Sequence, residues 1–192
     1  MASFGHAPLI LASASPRRRD LLAQIGIVPA RIAPTDIDET RRKDESPRVL
    51  AERLAREKAA ACEADGFVLA ADTVVALGTR NLEKAEDAAE AETFLRLLSG
   101  RSHQCITGIA VKAPDGRVQS RTVLARVRMK RLTDEEIAAY VASGEWQGKA
   151  GGYGIQGMAG AFITHINGSY SAIVGLPLYE TKSLLDGMGW CE

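Results

Sequence analysis

Apolar residues follow two periods along this chain, and the switches between them mark out its elements. Leu9 to Ala12 is a short apolar run, followed by the turn Ser13-Ala-Ser15. Leu21, Leu22 and Ile25 then recur at helical spacing as far as Gly26. Ser15 suits the N-cap and Pro16 the first helical position, so this stretch predicts strand, tight turn, helix. Arg31 to Lys43 carries turn and charge signals without a period and reads as a loop. Ser46-Pro47 opens a second helix to about Ala64, ahead of Gly66. Phe67 to Leu77, FVLAADTVVAL, is nearly all apolar, as in a strand buried on both faces. A third helix spans Asp87 to Leu98 and stops at Ser99-Gly100. His103 to Val111 and Val118 to Lys130 read as strands around the turn Pro114-Asp115-Gly116. In the second of these, Val123, Ala125, Val127 and Met129 alternate with mostly charged residues. Thr133-Asp-Glu-Glu136 has the form of a capping box and opens a helix through Tyr140 and Val141. Ala161 to Ile166 and Ser169 to Val174 flank Asn167-Gly168, which predicts a two-residue hairpin. A last helix runs from Gly175-Leu-Pro177 to about Leu185. Helices mixed with hairpins predict an α/β or α+β fold on a mixed sheet.

Composition narrows the classes of function. The 192 residues suit one domain, single or two-lobed. The 24 basic and 24 acidic residues cancel, so bulk charge points to neither nucleic acid nor an anionic membrane, and any anion site must arise from local placement. Cys62, Cys105 and Cys191 are odd in number and share no CxxC spacing, which argues for a reducing compartment. No apolar run is long enough to span a bilayer. The start MASFGHAPLILAS lacks a basic region and reads as a strand, not a signal peptide, so a cytoplasmic location is expected.

Several positions break the local rules, as expected where function overrides fold. Arg17, Arg18 and Arg19 stand where a helix N-terminus disfavours cations. They are either a solvated basic turn or part of an anion site with Ser13, Ser15 and the first-turn N–H groups. Side chains one residue apart on a helix diverge by about 100°, so three arginines cannot serve one ligand. Arg17 is the first candidate and Arg18 the second. Asp72 interrupts an apolar strand on the side of Val68, Ala70 and Val74. It is either a turn residue capping its own backbone or a general base or metal ligand facing a cleft. Lys58 lies on one helical stripe with Ala51, Leu54, Ala55 and Cys62. It either snorkels to the rim or points into the same cleft. Lys84 alone reads as a surface lysine. The loop Asp36-Ile-Asp38-Glu39 is either solvated or a source of carboxylates for a divalent cation.

Nine of the 18 glycines lie between Gly144 and Gly175. Within them KAGGYGIQGMAG, Lys149 to Gly160, is either a turn-rich linker or a backbone that approaches a flat ligand, with Gln156 offering a donor and an acceptor. His6, His103 and His165 have no spacing that suggests a metal site or triad. No G-x-S-x-G elbow and no Walker A sequence is present. The remaining kit suits a cation-complexed triphosphate.

The segments LASASPRRRDLL, IDET, RLAREKA, ADTVV, LSGRSHQCITG and KAGGYGIQGMAGAFITHINGSYSAIVGLPL together resemble the Maf family of nucleoside triphosphate pyrophosphatases, over nearly the whole chain. The resemblance implies an elongated mixed sheet flanked by helices, two lobes around a cleft, akin to the inosine triphosphate pyrophosphatases. It implies hydrolysis of a nucleoside triphosphate with a divalent cation, Mg²⁺ or Mn²⁺, and allows a homodimer. By motif, Asp72 is the proton acceptor, Glu39 its acidic partner at the metal, and Lys58 and Lys84 bind phosphate. Arg17, Thr73 and Gln156 match the branch that acts on dTTP and UTP; the branch that acts on 7-methyl-GTP carries Trp, Gln and Glu there. The loop APTDIDETRRKDESP lies closer to that other branch, and Ala85 replaces a proline that often follows the family's lysine. The competing class is a non-catalytic nucleotide sensor acting on cell division, which would need the basic residues but not the carboxylates.

Overall fold

The computed structural model describes residues 7–191. His6 and the first residues of MASFGHAPLILAS, the segment read above as a strand, lie outside them. Among the described residues seven strands form one mixed sheet: β1 (Leu9–Leu11), β2 (Arg31–Ile32), β3 (Phe67–Leu77), β4 (Arg80–Leu82), β5 (Ser102–Lys112), β6 (Val118–Met129) and β7 (Ile163–Asn167). Their order is β2-β1-β3-β5-β6-β7, with β4 paired to β3. β1 runs parallel to both β2 and β3, and the remaining pairings are antiparallel. The helices are α1 (Pro16–Gln24), α2 (Pro47–Ala61), α3 (Ala88–Leu98), α4 (Asp134–Ala142), α5 (Tyr170–Val174) and α6 (Leu178–Met188), with a 3₁₀ turn at Met158–Phe162.

β3 is the central strand, and its apolar run has the reason the pattern suggests: both faces are covered. On one face Phe67, Leu69, Ala71 and Val75 join the main core with α1, α3 and α6. On the other, Val68, Ala70 and Val74 pack under α2 against Ala55, Ala59, Ala51 and Leu54. Asp72 belongs to this second face. It sits inside a continuous strand, which excludes the turn reading. Its register partner on β5 is Gly108, where a Cβ would come 2.2 Å from the Ala51 carbonyl oxygen. Only glycine lets α2 lie this close to the sheet, so the glycine sets how deep Lys58 reaches.

Two expectations need correction, and one strand has no counterpart in the sequence reading. Asn167-Gly168 does not turn a hairpin. β7 ends there, Ser169 accepts from the Ala172 N–H, and Tyr170–Val174 is a helix. A capping serine one residue past the turn outweighs the Asn-Gly signal. Arg31–Ile32, read as loop, forms a short strand on β1, and Arg80–Leu82 adds an unforeseen strand on β3. Elements of two or three residues are too short for any period to register. Among the described residues no helix is long and apolar enough to cross a membrane, and Cys62, Cys105 and Cys191 are free.

Candidate active site

One cavity of about 470 Å³ gathers Ser13, Ser15, Arg17, Arg18, Glu39, Lys58, Asp72, Thr73, Lys84 and Gln156, while Arg19, Asp36 and Asp38 stand outside its lining. Its walls are the turn into α1, the face of α2 and β3, and the glycine-rich segment. Five lining residues are basic and two acidic, in a chain whose net charge is zero. The positive potential is therefore a local construction.

At its floor Lys58 and Asp72 meet. The helical stripe of α2 and the alternation of β3 face each other, and Lys58 Nζ lies 2.7 Å from Asp72 Oδ1. The same ammonium lies 2.7 Å from Glu39 Oε1, and Lys84 Nζ is 3.8 Å from Glu39 Oε2. Lys58 and Asp72 are both 8% exposed, so neither charge is solvated well enough to stand alone; each requires the other. Burial pushes the Glu39 carboxyl upward. The Lys58 hydrogen bond, with the charges of Lys58, Lys84 and Arg18, outweighs it and holds the group below the ordinary glutamate range. Asp72 Oδ2 accepts no hydrogen bond from any described residue, so one oxygen of this carboxylate is available to a ligand.

Glu39 comes from an irregular loop, and the loop has an anchor that sequence reasoning missed. Arg53 on α2 donates to both carboxylate oxygens of buried Glu45, at 2.7 and 2.9 Å, and to the Thr40 carbonyl at 3.0 Å. The Glu45 carboxylate also accepts from the Arg42 N–H. Thr40 follows Glu39 directly, so this clamp fixes where the acidic residue stands. Arg53 alternates with the apolar stripe of α2 and gave no signal beyond an ordinary helix charge.

The three arginines divide their work as the helix geometry requires. Arg18 is fixed: Nε donates to the Gly175 carbonyl at 2.9 Å and a terminal nitrogen to Ser13 Oγ at 2.9 Å. Burial lowers its pKa against the opposing pull of Asp72, and Arg17 adds to the lowering. Arg17 lines the cavity, and its guanidinium makes no hydrogen bond to a described residue. Arg19 turns outward to Asp20, 3.7 Å away. Ser15 occupies the N-cap of α1, but its hydroxyl caps no backbone N–H. The first turn of α1 thus borders the cavity without the side-chain cap that α2, α3 and α4 possess.

Thr73 follows Asp72 and faces the opposite side of β3. Its hydroxyl is 2.9 Å from that of buried Thr107, which donates to the Ala172 carbonyl at 2.8 Å. A hydroxyl has one proton. Thr107 commits its own to Ala172, so Thr73 donates to Thr107 and presents its oxygen to a ligand as an acceptor. Gln156 is exposed on the far wall. That wall is pinned by Tyr153, whose hydroxyl lies 2.6 Å from His103 Nε2 on β5, and by Tyr140, which accepts from the Gly154 N–H at 3.0 Å. Burial lowers the His103 pKa to about 4 and raises the Cys105 thiol to about 11, so neither is charged at neutral pH.

Sequence, fold and cavity define a mixed α/β protein built around a cation-rich cleft. The chain belongs to the Maf-like protein family, whose model matches residues 8–188. A dTTP/UTP pyrophosphatase of Hyphomonas neptunium is 80% identical over 187 residues, 97% of this chain and 98% of its own length. Proteins of the same name from Caulobacter vibrioides and Agrobacterium fabrum are 60% and 55% identical, covering 96% and 92% of their lengths and 95% of this chain in each case. Among solved structures, a dITP/XTP pyrophosphatase from Mycobacterium abscessus is similar at a TM-score of 0.41 and 17% identity, over 65% of this chain and 75% of that one. A HAM1 protein from Coxiella burnetii is similar at 0.44 and 18%, over 65% and 73%.

Proposed function

We propose that this protein hydrolyses dTTP and UTP to the nucleoside monophosphate and pyrophosphate. One observation carries the reading: Asp72, Glu39 and Lys58 meet at the floor of a cavity whose lining holds four further cations. A pure binder of a polyanion gains nothing from two carboxylates placed against its phosphates; a hydrolase needs a proton acceptor there. The names of the relatives supply the substrate class.

The water oxygen attacks the α-phosphorus, and the bond to the α,β-bridging oxygen breaks with its electrons leaving on pyrophosphate. Asp72 takes the water's proton, through the oxygen that Lys58 leaves unengaged. Lys58, Lys84, Arg17 and Arg18 offset the charge that shifts onto the leaving group. Lys58 also holds the Asp72 side chain in place by donating to Oδ1. Glu39 and Asp72 are the residues that would hold a divalent cation, Mg²⁺ or Mn²⁺, and two carboxylates suit an ion that completes its shell with phosphate oxygens and water. When bound, such an ion supplies Lewis-acid neutralisation of the phosphates.

The hydroxyl polarity at Thr73 favours the base assignment. Thymine and uracil carry an N3–H donor, which a hydroxyl acceptor satisfies. Cytosine presents an acceptor at the same position and would leave both groups unpaired. Gln156 adapts to either edge. The test is a panel of purified nucleoside triphosphates with Mg²⁺, read by pyrophosphate release. The expected order places dTTP and UTP above dCTP and 7-methyl-GTP. Tight dTTP binding without turnover in any divalent metal contradicts the enzymatic reading, and faster release from 7-methyl-GTP contradicts the branch.

A further inference from the structure

The cations of the cavity form two groups of different character. Lys58, Lys84 and Arg18 stand around Glu39 and Asp72, which offset them. Arg17 and Lys149 form the second group, and no carboxylate lies within ion-pair distance of either among the described residues. Lys149 is half-buried and donates to the backbone carbonyl of Glu145. The Glu145 carboxylate is itself occupied by the Met158 N–H at 2.9 Å. Burial first, then the charge of Arg17, lowers the Lys149 pKa against the weaker opposing pull of Glu145, so the two cations are close enough to repel. Holding like charges beside each other with no carboxylate in ion-pair contact costs stability unless a ligand anion joins them.

The aim of Lys149 is built into the glycine-rich segment. Its stem crosses Gly154, where a Cβ would come 2.5 Å from Lys149 Cε and 2.6 Å from Cδ. Gly154 has no left-handed backbone, so glycine is required there for room and not for conformation. Any side chain at 154 pushes the lysine off its path.

We propose that Lys149 is a substrate-binding residue that, with Arg17, takes the oxygens of the β- and γ-phosphates, the part that leaves as pyrophosphate. This rests on the reading of the cavity as a triphosphate site. The β,γ end bears most of the nucleotide's negative charge, and it suits the cation pair that no carboxylate contacts directly. The α-phosphoryl group belongs beside Asp72.

Lys149→Met keeps the stem over Gly154 and removes the charge. The expected result is a fall of about tenfold or more in kcat/KM for dTTP, the size of one lost charge-assisted hydrogen bond. The inhibition constant of pyrophosphate rises in parallel, and that of thymidine monophosphate stays unchanged. Gly154→Ala, which keeps the ammonium but misdirects it, shifts the same two constants in the same direction by less. The double variant is no worse than Lys149→Met alone. Calorimetric binding of pyrophosphate to wild type and Lys149→Met reads the site without turnover. A Lys149-dependent affinity there supports the inference even if dTTP and UTP prove not to be substrates. Unchanged pyrophosphate binding in Lys149→Met overturns it, as does equal weakening of monophosphate.

Discussion

The two walls of the cavity are built by different means. The wall of α2 and β3 is regular structure: a helical stripe and a strand face, each buried, with their two charged residues locked 2.7 Å apart. The wall of residues 147–157 is a chain of turns, held by the His103 ring of β5, the Tyr140 hydroxyl of α4, the Leu82 carbonyl of β4 and the Glu145 carboxylate beyond α4. Packing fixes the first, so a mistake there costs stability and turnover together. Hydrogen bonds at single points fix the second, so a mistake there moves the loop and the ligand's fit while the core survives. The regular wall is suited to chemistry and the turn wall to recognition.

The largest expected effect tests the regular wall. Asp72→Asn keeps the size of the side chain and removes the proton acceptor, and kcat for pyrophosphate release should fall about 10³-fold. Intact turnover would remove Asp72 as the base. Lys58→Met comes next, because it strands the Asp72 carboxylate in a site of 8% exposure. Breaking a buried pair on one side costs about 3 kcal/mol, a fall of roughly 6–12 °C in melting temperature for a domain of this size. An unchanged melting temperature would mean that the pair is solvated.

Smaller effects belong to the turn wall. Tyr153→Phe removes the hydroxyl bonded to His103, whose other ring nitrogen is buried without a partner. A loss of about 1–2 kcal/mol is expected, with KM for dTTP rising severalfold and kcat holding. Equal falls in kcat and kcat/KM would place Tyr153 in the chemistry instead. A last test is pH, where the full effect is approached only under acid conditions. His103 titrates near 4 when folded and near 6.5 when unfolded, so the unfolded chain binds the extra proton between these values. Stability from this residue is complete above pH 6.5, falls as the pH drops, and levels off below about 4. The loss is roughly 3 kcal/mol at most. Urea unfolding at pH 7 and at pH 4.5 measures it, and His103→Gln should flatten the slope in that window.

The same contrast explains what could be read from the chain. Asp72 and Lys58 were visible because each violates a period, and the two periods place both in one interior space. The capping box at Thr133 and the strand pair around Pro114 were legible for the same local reasons. Arg53 was not, since its importance lies in Glu45 and the Thr40 carbonyl, contacts that no spacing encodes. Nor was the helix at Tyr170–Val174, which is too short for periodicity and owes its place to Ser169 and to the Thr107 bond with Ala172. Gln156 and Lys149 are legible only as members of a glycine-rich run. What they do depends on where the turns carry them.

Hydrolysis of dTTP in ¹⁸O-labelled water, with mass analysis of both products, asks where the water oxygen goes. Attack at the α-phosphorus, beside Asp72, places the label in thymidine monophosphate and none in pyrophosphate. Label in pyrophosphate would mean attack at the β-phosphorus, and Asp72 would then stand at the wrong end of the bond that breaks.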